Sequence, residues 1–418
     1  MTGDSGGSRW DRGRDRLLTH AEVVFGSAGS GARVEDVAAS AGVSKALVFR
    51  HWPTKEALLD EVVLRLDERY RGWIEHARWS DAAAPVPAVA AAAVGFFDRP
   101  VHALFDPLVN RPALNAGAPE LEALDEVLAH AVADVAEPGQ ADTVRALVDA
   151  AVLATLRGWV GVPSLAELDL SADQLRDAIV AVVDGGLERL TPVPSATRRP
   201  RRPALEPLSA TLATRSDLEG RILDAALGVF GRVGYDVARL EDIAAEAGTV
   251  ASAVFTYWSG KEELFQQVRL AVVTRIALRM FEAMATADSN LERLRAAIRA
   301  NLWIHYERPE FQVVLLPVAS LPRGAELESV GWQRTIEQLD LFPELAAAGD
   351  LLPVATAIGI TVLRATIQTM HRRNVHPAIA TAIAEAYLLG GLTRLAALTG
   401  VELATRDDAG PVAVRSSR

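Results

Sequence analysis

The chain repeats one segment of itself. Val34–Leu58 reads VEDVAASAGVSKALVFRHWPTKEAL, and Leu240–Leu264 reads LEDIAAEAGTVASAVFTYWSGKEEL. Ala38, Gly42, Phe49, Trp52 and Lys55 recur as Ala244, Gly248, Phe255, Trp258 and Lys261, each 206 positions later. Upstream, Arg16, Phe25 and Gly29 recur as Arg221, Phe230 and Gly234, each 205 positions later, so one residue enters the intervening loop. Matching of this length marks an internal duplication. It requires each copy to fold alike, in two tandem units. Within the first copy Val37, Ala38 and Ala41 fall on one face of a short helix, Gly42-Val43-Ser44 forms a turn, a second short helix runs to Trp52, and a third opens at Lys55-Glu56. Two short helices joined by a glycine-containing turn are the sequence form of a helix-turn-helix.

The remaining sequence favours helix. Ala, Leu, Val, Arg and Glu dominate, half of the 418 residues are hydrophobic, and strand-like alternation is scarce. The expected class is all-α. The net charge of −11 speaks against a generally basic nucleic-acid protein, although binding needs a basic patch and not a basic whole. With no cysteine, disulfides and thiolate catalysis are excluded. The N-terminus shows no signal-peptide core, and the longest apolar runs, Pro85–Phe97 and Leu351–Leu363, are about 13 residues, too short to span a bilayer. The expectation is a cytoplasmic protein without membrane contact. The eight histidines lack metal-ligand spacing and no glycine-rich loop sits between a strand and a helix, so no metal, cofactor or enzyme activity is expected.

In chain order, residues 1–12 read as a disordered, solvated tail, with Arg9, Arg12 and Arg14 offering an alternative arm into a nucleic-acid groove. Leu17, Leu18, Ala21, Val24 and Phe25 mark the first helix, broken at Gly26–Gly31. A first helix-turn-helix domain is assigned to residues 13–58 and a first helical bundle to 59–190, with helices at Lys55–Trp79, Val86–Phe97, Val101–Val109, Glu120–Val135, Asp142–Val160 and Ala172–Leu190, the last capped by Ser171. Pro192, Pro194, Pro200, Pro203 and Pro207 make 191–213 a linker, read as a solvated spacer carrying Arg198-Arg199 and Arg201-Arg202. Ser216 and Glu219 form a capping box that opens the second helix-turn-helix domain, 214–264. The second bundle, 265–400, follows, with helices at Lys261–Ala285, Leu291–Tyr306, Phe311–Ala319, Leu327–Leu341, Leu351–Arg373 and Pro377–Leu398.

Each copy resembles the DNA-binding domain of the tetracycline-repressor (TetR) family, whose pattern runs Ala-Gly-Val-Ser, then Gly-Thr-Leu-Tyr-x-His-Phe, then Ser-Lys-Glu-x-Leu. The first copy reads Ala41-Gly42-Val43-Ser44, Ala46–Trp52 and Thr54–Leu58; the second reads Ala247-Gly248-Thr249-Val250, Ser252–Trp258 and Gly260–Leu264. The resemblance implies a dimeric helical repressor of a double-stranded DNA operator, with a small-molecule pocket in each bundle and the last two helices pairing as a four-helix bundle. Two such units in one chain imply an intrachain pseudo-dimer, with a further homodimer left open.

The chain holds only three lysines, and Lys55 and Lys261 occupy equivalent first-turn positions. A cation there opposes the helix dipole, so phosphate contact is the favoured reading over a salt bridge to Glu56 or Glu262. Ser44 is expected to cap the recognition helix, along which Lys45, Arg50 and His51 lie. By the resemblance, Leu47, Phe49 and His51 face DNA, Leu47 against a thymine methyl. Val48 and Trp52 read as core, and Phe49 stays open between core and DNA. Arg33 and Arg239 precede helix two where the family has a capping hydroxyl, and become phosphate candidates. In the second head Thr249, Ser252, Phe255, Thr256 and Tyr257 take the corresponding places without a basic residue, and Val250 replaces the turn serine. That head reads as the weaker of two unlike half-site readers, or as silent. Pocket candidates are Trp73, Phe96, Phe97, His102, Phe105 and Trp159 in the first half, and Met280, Met284, Trp303, Tyr306, Phe311 and Met370 in the second, lining a site for a largely apolar effector. The alternative function is a helical ligand-binding protein whose heads are relics. Transplanting Val43–Trp52 into the second head is expected to raise affinity for a symmetric site in a binding titration; unchanged affinity would count against a DNA-reading second head.

Overall fold

The computed structural model describes residues 9–28, 32–80, 84–97, 118–137, 139–157, 170–195, 200, 207–211, 216–315 and 351–398. Among these residues every regular element is helical: α1 Arg9–Ala28, α2 Val34–Ala41, α3 Lys45–His51, α4 Lys55–Ser80, α5 Pro85–Phe97, α6 Pro119–Ala123, α7 Asp125–Ala133, α8 Ala141–Arg157, α9 Ala172–Glu188, α10 Asp217–Val237, α11 Leu240–Glu246, α12 Ala251–Val254, α13 Lys261–Met284, α14 Asn290–Glu307, α15 Pro309–Leu315, α16 Leu351–Arg372 and α17 Pro377–Ala397. A 3₁₀ turn covers Leu208–Ala210. The expected helices Val101–Val109 and Leu327–Leu341 lie outside the described residues, and the expected helix Glu120–Val135 is two, parted at Leu124. Ser171 and Ser216 cap as the sequence predicts, accepting from Gln174 N at 3.2 Å and Glu219 N at 3.2 Å.

Two compact units divide the chain, and they do not follow the two sequence halves. One holds residues 1–125 and 156–180; the other holds 126–155 and 181–418.

In the first unit, α1 packs on α2 and α4, closing a core of Leu17, Leu18, Ala21, Phe25, Val37, Ala38, Val48, Trp52, Leu58 and Val62. Helix α1 starts at Arg9, so residues 9–12, expected as tail, are helical. The reason is Trp10, whose ring has His51 to stack on at 4.1 Å. Below the head, α4 packs on α5 and α6, and a fully buried carboxylate joins them. Glu120 accepts from Tyr70 Oη and Arg157 Nε, and from Arg157 Nη2 at 2.6 Å. Burial raises the Tyr70 phenol, and the adjacent Glu120 charge raises it further.

In the second unit the head is built the same way, with Ile222, Leu223, Ala226, Phe230, Ile243, Val254, Trp258, Leu264 and Phe265 inside. Helix α15 lies against α10 so closely that a Cβ on Gly231 would meet Glu310 Cβ at 2.4 Å. Several described linker residues are held: Val193 N bonds Val135 O at 3.0 Å, Tyr306 Oη bonds Pro200 O at 3.1 Å, and Arg275 reaches Thr211 Oγ1 at 2.6 Å and Pro207 O at 2.8 Å, while the arginine doublets lie outside the described residues. Proline carbonyls lack local helical donors, and side chains of α13 and α14 supply them.

The same unit joins the end of the first half to the end of the second. Gly185-Gly186-Leu187 and Arg189 of the first half recur 205 positions later as Gly390-Gly391-Leu392 and Arg394. At the crossing, a Cβ on Gly185 would lie 2.4 Å from Gly390 O and 2.7 Å from Arg394 Cβ, and one on Gly390 would lie 2.0 Å from Gly185 O and 2.7 Å from Arg189 Cβ. The neighbours obey the same exchange: Gly186 meets the ring of Tyr387, and Gly391 meets its counterpart Val182. Residue i meets j while j meets i, the rule of a two-fold interface. Tyr387 Oη and Thr155 Oγ1 are 2.9 Å apart, and Arg394 pairs with Glu188 at 2.6 Å. Helix α17 is long and apolar enough, by length and composition, to cross a membrane, but most of it is buried against α14 and α16.

In an ordinary helix interior, glycine to alanine gains about 1 kcal/mol. Gly390→Ala is expected to reverse that sign and lose about 1–3 kcal/mol by overpacking, read by urea denaturation. A gain would mean that the backbones do not touch.

Candidate nucleic-acid interface

The two heads share a frame fixed by their repeated residues. Gly42 and Gly248 take the left-handed conformation, φ 68° and 69°, that lets the chain turn sharply from one helix to the next. Arg16 Nη2 bonds the carbonyl of Ala41 at 2.8 Å, and Arg221 Nε bonds that of Ala247 at 3.2 Å. The duplicated arginines therefore tie helix one to the end of helix two. Trp52 and Trp258 are buried beneath the recognition helices, as are Val48 and Val254.

On that frame the first head presents α3. Ser44 caps it, accepting from Leu47 N at 3.3 Å. Lys45 pairs with Glu35, whose carboxyl it holds below the ordinary range, and Lys45 Nζ lies 5.4 Å from the centre of the Phe49 ring. Lys45, Phe49 and Arg50 are exposed, and Leu47 is half-buried. The open question of Phe49 is thereby narrowed: its ring is not in the core. Arg33 and Arg239 are exposed at the N-caps of α2 and α11, and Lys55 opens α4.

His51 has a role the sequence did not show. Its ring lies against Trp10 and 5.4 Å from Trp52, and Arg50 lies over Trp10 at 5.1 Å. Burial lowers its pKa first, the Arg14 and Arg50 charges lower it further, and Glu61 opposes them. His51 thus belongs to a stack at the C-terminal end of α3. No periodicity signals Trp10, because its partner lies 41 positions away.

The second head differs where chemistry meets solvent. Its recognition helix is the single turn Ala251–Val254, and Val250 gives it no side-chain cap. Phe255 is 56% exposed, Ser252 and Thr256 are exposed, and Thr249 is half-buried. Tyr257 is half-buried, its Oη 2.7 Å from Ser216 Oγ. Lys261 makes contacts that its sequence position did not show. Its ammonium donates to the carbonyls of Tyr235 at 2.9 Å and Ala238 at 3.1 Å, with Asp236 O at 3.5 Å, and sits 4.4 Å over the Tyr235 ring. Those carbonyls are left open where α10 kinks at Gly234 and ends, and the lysine closes them.

Of the pocket candidates, Trp73 lines an open groove of about 640 Å³ with His76, Pro87, Ala88, Ala91 and Arg176. Phe96 packs on Tyr70 at 4.8 Å. The Phe97 side chain, His102, Phe105 and Trp159 lie outside the described residues. Met280, Met284, Tyr306, Phe311 and Met370 are buried, and Trp303 is half-buried. Phe311 sits fully buried on α15, the helix against the second head, and so reads as core joining head to bundle. The sequence reading missed two polar residues of this bundle, Asn301 and His305, both buried on α14.

Two outcomes follow. Lys261→Met is expected to cost the chain about 1–2 kcal/mol in chemical denaturation, since three carbonyls lose their donor; no loss would mean that the ammonium is not held there. Burial, then the His371 and Arg364 charges, pull His305 from 6.5 down to about 3. The unfolded chain then binds a proton that the native state refuses, so stability falls as pH drops from about 6.5 toward 3. His305→Phe is expected to flatten that fall in calorimetric melts across the window, and an unchanged slope would contradict it.

Residues 17–62 and 222–268 each match the family model described as bacterial regulatory proteins, tetR family. The HTH-type transcriptional activator FasR of Mycolicibacterium smegmatis is 32% identical over 103 residues, which are 25% of this chain and 47% of that protein. The chain thus spans about half the length of this curated relative. Among solved structures, the fatty acid degradation regulator FadR from Bacillus halodurans is 18% identical with a TM-score of 0.37, covering 41% of this chain and 97% of that one. A TetR-like transcriptional regulator from Rhodococcus sp. RHA1 is 23% identical with a TM-score of 0.34, covering 43% and 98%. The family model is thus matched separately at both copies of the repeat, and each head is similar to the N-terminal helical unit of the tetR family.

Proposed function

We propose that this protein is a sequence-specific, DNA-binding transcriptional regulator, with its two halves acting as an intrachain pseudo-dimer and a small-molecule effector changing its hold on double-stranded operator DNA. The observation that carries the reading is the capped, solvent-facing helix Lys45–His51, set on a glycine turn and matched by a second head in the same chain. In this reading Lys45, Arg50 and Lys55, with the N-cap Arg33, contact phosphate and base edges, and Leu47 and Phe49 meet thymine methyls. Phosphate contacts give most of the affinity, and α3 in the major groove gives specificity.

The pseudo-dimer reading is supported by the reciprocal contacts of Gly185 and Gly390 between α9 and α17. Covalent linkage places the halves at an effective concentration of about millimolar. The second head contributes less in this reading: its recognition helix is one turn, and Lys261 is engaged with carbonyls. Arg239, Thr249, Ser252, Phe255, Thr256 and Tyr257 remain its candidates for an unlike half-site. The function acts on DNA, so the protein belongs in the cytoplasm. We read the control as repression relieved by the effector. The relative FasR is named an activator, so the sign is measured with a reporter gene behind the selected site.

The test is salt-dependent binding. Lys55→Ala is expected to weaken binding and lower the slope of log affinity against log salt by about one, and Arg50→Ala to cost about 1–3 kcal/mol with relaxed sequence preference if it reads a base. Lys261→Ala is expected to leave the slope unchanged. Binding that is neither salt-dependent nor sequence-selective would overturn the regulator and favour a ligand-binding protein with relic heads.

A further inference from the structure

The bundles bury different polar groups. In the first unit, Glu120, Tyr70 and Arg157 satisfy one another. In the second, Asn301 and His305 lie one turn apart on α14, 3% and 5% exposed. Residues at that spacing share a helix face. Asn301 Oδ1 and His305 Nδ1 are both buried with no hydrogen-bond partner among the described residues. Asn301 Nδ2 has only the weak acceptor Met280 Sδ, at 3.7 Å. Leaving such groups unpaired is costly, and a native chain that keeps two side by side has them for a partner it does not itself supply.

The duplication sharpens the point. Aligning Phe97-Asp98-Arg99-Pro100 with Tyr306-Glu307-Arg308-Pro309 places Ala92 opposite Asn301 and Phe96 opposite His305. Both first-half residues are buried and apolar. The fold therefore does not need a polar pair here, and the second half alone carries one.

We propose that the second-half bundle holds a ligand site whose polar end is Asn301 and His305, and that it takes a neutral, mainly apolar molecule bearing one hydroxyl or carboxamide group. The proposal rests on reading the bundles as effector domains. Asn301 Oδ1 accepts a hydrogen bond from the ligand group, and neutral His305 offers its ring nitrogen as donor or acceptor. Burial with the nearby His371 and Arg364 charges keeps His305 uncharged, so the imidazole supplies no cation to pair with an anion. Met280, Met284 and Met370 stand buried on α13 and α16, the helices packed against α14, and three of the chain's four methionines are thus in this bundle. Flexible thioethers adapt to an apolar body of variable shape.

The full chain is titrated by calorimetry with octanamide, n-octanol and, for comparison, sodium octanoate, and melted with and without each. The neutral probes are expected to bind and raise the melting temperature, and octanoate to bind more weakly. His305→Phe and Asn301→Ala install the first-half residues; each is expected to weaken the neutral probes about tenfold or more. Ligand-free His305→Phe is expected to melt no lower than the unsubstituted protein. The proposal is overturned if neither neutral probe binds, if octanoate binds as well, if the variants bind unchanged, or if His305→Phe melts well below the parent, which would make the imidazole a structural partner. DNA binding is measured in parallel. Absent probe binding with DNA binding intact overturns this site alone, and absent DNA binding with probe binding intact overturns the regulator reading alone.

Discussion

Two helix backbones meet at Gly185 and Gly390, and the division of the chain follows from that meeting. A Cβ on either glycine would fall within 2.4 Å of the other's carbonyl oxygen, so no other residue permits the approach. Because α9 and α17 touch this closely, the end of the first half is built into the same compact unit as the whole second half. The reciprocity of the flanking contacts is what two copies related by a two-fold axis would make. Two copies carried in one chain are free to diverge, since a change in one half does not repeat itself in the other.

Divergence is what the copies show. Residues holding the frame persist: the arginine on the carbonyl of helix two, the left-handed glycine and the buried tryptophan are present in both heads. Several residues facing solvent or the bundle interior do not. The first head keeps a capped helix of two turns with Arg50 and Lys45 outward; the second has one turn, and its lysine closes a helix end. The first bundle buries a closed ion pair with a tyrosine; the second buries Asn301 and His305 with unmet valences. These differences suit the proposed division, in which the first half mainly reads DNA and the second senses a ligand.

Much of the fold was legible in the sequence, because it rests on local rules. The repeat, the glycine turns, the Ser44, Ser171 and Ser216 caps and the core faces all follow from spacing and residue type. What escaped depends on partners far apart in the chain. Trp10 looked like tail because its stacking partner is His51, and the α10 carbonyls that Lys261 meets cannot be seen from its own helix. Pro200 and Pro207 looked free because the side chains that hold them, Tyr306 and Arg275, come later. One missed signal was within reach: the Gly-Gly-Leu-x-Arg repeat at 185–189 and 390–394 marks the crossing as plainly as the heads mark themselves.

The central claim is that one chain, with unlike heads joined through its own two-fold contact, occupies one operator. Its most direct test is selection of bound sites from random DNA, with footprinting of the winner and the mass of the complex measured together. The account predicts two unlike protected half-sites one or more helical turns apart, the stronger contacted by the first head, with one chain bound. A symmetric site carrying two chains, each using the same head, would contradict it.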